Sequence, residues 1–120
     1  LNRRQQTILH CIYLRHHNGF VRERHLTKII EADDYFALPF QVLILGEYVE
    51  ELISILDQGI SDQNISEFAE FLSDNRFFWT QTQSRIVSYW DVYYRIKYPK
   101  LRDYVGQGLA TRLNKVIRDY

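Results

Sequence analysis

Apolar residues recur every three or four positions along most of this chain. Ile8, Leu9, Ile12 and Tyr13 set that period first. They predict a helix over 2–17 with those four side chains turned inward. Asn18-Gly19 stops it, with Gly19 as a left-handed cap. A second helix follows over 20–32, with Val21, Leu26, Ile29 and Ile30 inward. The short link between the two makes an antiparallel hairpin. Asp33-Asp34 turns the chain, and Leu38-Pro39 opens a third helix, proline being tolerated in a first turn. This helix is predicted over 39–56. It starts as a nearly all-apolar run, Phe40 to Leu45, and ends amphipathic. Val49, Leu52, Ile53 and Leu56 then face inward, and Glu47, Glu50, Glu51 and Ser54 outward. Gly46 in its middle costs about 1 kcal/mol against Ala, so a close helix crossing is expected there.

Asn64 followed by Glu67 resembles a capping box and opens a short helix over 64–73. Ile65, Phe68, Ala69 and Leu72 form its apolar face. A long helix over 78–98 stops at Pro99, because the residue before proline resists the helical region. The last segment, 100–119, keeps helical spacing from Leu101 to Ile117, interrupted by Gly106 and Gly108. It reads as one kinked helix or two short ones. With no convincing strand, the fold class is all-α: five or six helices in antiparallel hairpins.

The distribution of charge changes the picture more than its sum. The net charge is zero. Residues 1–30 carry +5, residues 31–75 carry −11 with no Lys or Arg, and residues 76–120 carry +6. Acidic helices packed between basic ones would let these charges meet at their edges. A polar molecule meeting a basic partner, or a second copy of itself, is the functional alternative.

The helix over 78–98 is the richest in candidate chemistry. Tyr89, Trp90, Tyr93, Tyr94 and Tyr98 each carry a ring and a hydrogen-bonding group. Two stripes overlap on it: Ile86, Tyr89, Tyr93 and Ile96, and beside them Trp79, Ile86, Trp90 and Tyr94. A core that needed only volume would use Leu and Phe, and buried Tyr or Trp must find hydrogen-bond partners. Tyr, Trp and Arg together are the composition of binding hot spots. One face is therefore expected in the core and the Tyr-rich edge at a contact surface. The candidate partner-binding residues are Tyr89, Tyr93, Tyr94, Arg95 and Tyr98, with Glu47, Glu50 and Glu51 as a charged counter-surface.

Asn18-Gly19-Phe20-Val21-Arg22, followed by Leu26 and Ile29, resembles the turn and inner helix of a HEAT-type repeat. The resemblance covers one hairpin, residues 2–32. It departs from the pattern at His25, where a small residue is usual, and no second copy follows. It implies HEAT-like stacking as the alternative to a compact bundle, and a protein-binding scaffold rather than a catalyst.

Other chemistries find less support. His10, Cys11, His16 and His17 lie close in sequence, but their spacing does not match helical metal ligands three or four apart. No metal and no cofactor is expected. There is no Gly-x-Ser-x-Gly and no phosphate loop, and Gly106-x-Gly108 has no strand before it. Asp91 would be the acid of a small enzyme if it lay at the floor of an aromatic pocket; otherwise it pairs with Arg95. Arg85, Arg95, Lys97, Lys100 and Arg102 surround the tyrosines, as a nucleic-acid surface would need. The zero net charge and the acidic middle argue against that partner.

A length of 120 residues fits a single domain over 1–120. The chain opens at Leu1, so it reads as a processed product or an excised piece. One cysteine, Cys11, permits no internal disulfide and points to a reducing, cytoplasmic setting. No apolar run is long enough to span a membrane. The reading that emerges is a non-catalytic protein-interaction or assembly module.

Overall fold

The computed structural model describes residues 2–16, 18–47 and 49–118. Among them are seven α-helices and no strand: α1 (Arg3–Tyr13), α2 (Gly19–Ala32), α3 (Leu38–Leu45), α4 (Glu50–Gly59), α5 (Ile65–Asp74), α6 (Arg76–Tyr89) and α7 (Val105–Arg118). Single 3-10 turns lie at Tyr35–Ala37 and Leu101–Asp103, and a π turn, Trp90–Tyr94, continues α6. The all-helical expectation holds, but five or six helices was too few. The helix predicted over 39–56 is two helices. α3 ends at Gly46, and α4 begins after Val49, whose backbone is extended. The predicted ends of the first and last helices, at His17 and Asp119, lie outside the described residues.

Local chemistry explains most boundaries. Asn2 and Gln5 form a reciprocal capping box at the start of α1, at 2.8 and 2.9 Å. Asn18 accepts the Phe20 and Val21 N–H groups, so it caps the start of α2. That corrects the expected role of Gly19, which is the first residue of α2 and has no positive φ. The residue in left-handed conformation is Asp33, at φ 53, which closes α2. Asn64 makes no cap either. Its side chain accepts the Ser61 N–H and donates to the Gly59 carbonyl, tying off the loop between α4 and α5.

α1 and α2 pack as the expected hairpin, α2 also packs on α4, and α4, α5 and α6 all meet α7. Leu26, Ile29, Ile44, Leu45, Leu52, Ile53, Leu56, Leu72, Ile86, Leu109 and Leu113 are fully buried at the centre. Gly59 is where helices approach most tightly: a Cβ there would lie 2.8 Å from Ile30 of α2. Gly46 was expected in that role. It does lie against α6, but its Cβ would meet Arg85 and Thr82 at 3.5 and 3.6 Å, an ordinary contact.

α1 departs most from its sequence pattern. It buries Thr7 and Cys11, followed by Leu14. The four residues expected inward are exposed: Ile8 44 %, Leu9 39 %, Ile12 63 % and Tyr13 40 %. α1 packs mainly on α2 and the 35–37 turn. Its Thr7 hydroxyl donates to the Asp34 carboxylate at 3.0 Å, which turns the narrower Thr7–Cys11 side toward the protein.

Candidate interaction surface

α6 keeps its α-helical period through Tyr89 and then widens into the π turn. A π turn adds about one residue to a turn and rotates the side chains that follow. Trp90, Tyr94 and Tyr98 consequently pack against the core. Val92, Tyr93 and Ile96 are left outside, at 70, 57 and 98 % exposure. The inner side is tied firmly. The Trp90 indole N–H donates to the Tyr98 carbonyl at 2.7 Å, and the Tyr98 N–H to the Tyr94 carbonyl at 2.7 Å. The stripe of Trp79, Ile86, Trp90 and Tyr94 is thus the core side. The other stripe leaves the core after Ile86.

The inner side clamps the start of α4. The Tyr98 hydroxyl donates to one oxygen of the Glu50 carboxylate, and the Lys97 ammonium to the other at 3.0 Å. The Glu50 N–H, an unpaired donor of a helix first turn, donates to the Tyr94 hydroxyl at 3.2 Å. Tyr94 stacks on Tyr104, with centroids 5.1 Å apart. Tyr104 is 1 % exposed, and its hydroxyl has no hydrogen-bond partner among the described residues. Gly106 makes room for that ring, since a Cβ there would lie 2.8 Å from Tyr104 Cε2.

The electrostatics follow from this packing. The hydrogen bond to Glu50 holds the Lys97 ammonium above its usual pKa. The same carboxylate, and then burial, raises Tyr98. Burial raises Tyr94 despite its backbone hydrogen bond. Burial raises Tyr104 furthest, with Tyr94, Glu50 and Tyr98 adding to it.

The eight candidate residues therefore divide. Tyr94, Tyr98 and Glu50 meet each other in the clamp. Tyr89 and Tyr93 stack on one another at 5.9 Å on the outer side. Arg95 pairs with Asp91 at 2.9 Å and lies over the Trp90 ring. Glu47 pairs with Arg22 of α2. Glu51 is exposed in the first turn of α4. The three glutamates do not form one outward counter-surface. Asp91 lies on the surface as Arg95's partner, not at the floor of a pocket. Val92 and Ile96 were not among the candidates, although a uniform helical period puts Ile96 in the stripe of Tyr89 and Tyr93.

The charged thirds meet in part. Arg22–Glu47, Lys97–Glu50 and Arg112–Asp57 each join a basic terminal third to the acidic middle. Among the described residues no group of three or more His, Cys, Asp or Glu could hold a metal ion. Burial, with Asp34 adding, pushes the Cys11 thiol up to about 11, in keeping with its place in the core. His10 meets His25 instead, Nδ1 to Nδ1 at 2.6 Å, and His17 lies outside the described residues. No helix among the described residues is long and apolar enough to cross a membrane. Comparison with known proteins gives no match: no family model fits the chain, and no curated protein or solved structure resembles it.

Proposed function

We propose that this chain is a non-catalytic protein-interaction module whose contact surface is the outer edge of residues 89–96. One observation carries the reading. Val92, Tyr93 and Ile96 stand out in solvent on a backbone that Trp90, Tyr94 and Tyr98 hold from behind. Apolar side chains cost free energy in water, and a rigid exposed cluster binds with little ordering entropy. Tyr93 and its neighbour Arg95 supply hot-spot residue types at its centre. The resemblance of residues 2–32 to a HEAT-type hairpin favours the same class of function.

The test is a pull-down from the native cells with the wild-type chain and with a Tyr93→Ala, Ile96→Ser variant. The expected result is a defined protein held by wild type and lost by the variant, at unchanged thermal stability. Equal capture by both chains would sink the proposal, as would wild type retaining nothing above a blank resin.

A further inference from the structure

A second surface lies away from that edge, and its charge is of one sign. Arg4, Ile8 and Ile12 follow one another at intervals of four, so they form a row along the outside of α1, and Arg15 follows in the turn after its C-cap Leu14. Leu9 and Tyr13 flank the row, and all four apolar members are exposed. α1 contains no acid. Arg15 makes no ion pair among the described residues, and Arg4 lies over the Phe36 ring.

α5 carries the opposite pattern. Glu67, Glu70 and Asp74, three and four apart, share one face, and α5 has no basic residue. None of the three has an ion pair among the described residues. Tyr35 is 49 % exposed. Its hydroxyl is held above the usual tyrosine range, first by partial burial and then by the Glu70, Asp74 and Glu67 carboxylates. Phe77, 77 % exposed, follows three residues beyond Asp74. An apolar stripe with basic ends and an acidic helix face thus lie on one molecule.

We propose that the α1 stripe docks on the acidic α5 face of a second copy of this chain. Charge complementarity selects the occupant. Two α1 stripes packed on each other would bring arginines together and leave the α5 acids unanswered. Internal ion pairs use Arg22, Lys28, Arg95, Lys97 and Arg112, and these two sets are among the charges they do not use. A contact between two different patches is heterologous, so it closes into a ring or grows as a chain. This proposal is independent of the 89–96 edge and survives if that edge proves inert.

The test is sedimentation of the purified chain at low and high salt, with two charge-reversal variants. One carries Ile12→Glu and Arg15→Glu; the other carries Glu70→Lys and Asp74→Lys. Wild type is expected to associate at low salt and to weaken as salt is added. Each variant alone should associate at least tenfold more weakly. An equimolar mixture should regain a dimer, because each variant keeps the face that the other needs. That recovery cannot come from misfolded protein. A wild type that stays monomeric up to millimolar concentration overturns the proposal. So does loss with the α1 variant alone, which would mean α1 pairs with α1.

Discussion

The indole N–H of Trp90 donates to the main-chain carbonyl of Tyr98, across the π turn, at 2.7 Å. It satisfies the main-chain carbonyl just before Pro99, beyond the end of the π turn at Tyr94. The bond holds the turn closed behind the exposed Val92, Tyr93 and Ile96. Trp90→Phe keeps most of the ring volume and removes the donor. It is expected to cost about 1–2 kcal/mol in urea unfolding. Tyr93→Ala, on the outer side, should cost less than about 1 kcal/mol. Equal losses would mean that the turn has no distinct inner and outer sides.

Tyr104 fills the space between Tyr94, Tyr98 and Gly106, yet its hydroxyl finds no partner among the described residues. Tyr104→Phe retains the stacking and removes a buried unpaired group. It should stabilise the fold by about 1 kcal/mol. Alkali supplies a second readout. The folded state keeps the Tyr104 proton above the ordinary tyrosine range, while the unfolded chain releases it near 10. Stability is therefore full below about pH 10 and falls as the pH rises beyond it. The variant should show a shallower fall, measured as the urea midpoint against pH.

His25 acts at the acid end. Burial, then His10, Arg24 and His16, lower the pKa of His25 below its ordinary 6.5. Tyr13 stacks on the His25 ring at 4.8 Å. The folded state thus holds fewer protons at His25 than the unfolded chain does. Its stability contribution is full above about pH 6.5 and is lost as the pH falls through that value and the lower folded one. The protection factors of the α1 and α2 amides, exchange corrected for its intrinsic pH dependence, should fall as the pH drops below about 6.5. His25→Phe should remove that step; an unchanged step would place its origin elsewhere.

Two glycines give the clearest contrast in cost. Gly59→Ala forces a methyl to within 2.8 Å of Ile30 and should lose about 1–3 kcal/mol. Gly46→Ala places its methyl at ordinary contact distance, with φ −87, and should be close to neutral. Thermal melts of the two variants decide it. If Gly46→Ala were the more damaging, the packing of α3 on α6 would be tighter than described.

Although the helix expected over 78–98 ends with its π turn at Tyr94, short of Pro99, the sequence by itself determined the helical class, the hairpin of α1 and α2 and the segregation of charge. Each rests on short-range chemistry: a period of three to four, the caps and breakers beside it, and the sign of side chains. It also made Asp91 and Arg95 partners, since four residues of helix bring them together. The tertiary structure decided which apolar face meets a neighbour. α1 offers Ile8, Leu9, Ile12 and Tyr13 at helical spacing, but the Thr7–Asp34 hydrogen bond and the limited cover of α2 turn that face outward. It decided that Gly59, not Gly46, marks the tight crossing, because only packing tells which glycine faces another helix. It also divided the tyrosines. A π turn rotates everything after Tyr89, and that sends Tyr94 and Tyr98 to Glu50, 44 and 48 residues away, and Tyr93 to solvent. Periodicity reports the existence of an apolar face; its partner lies far along the chain, where no local signal reaches.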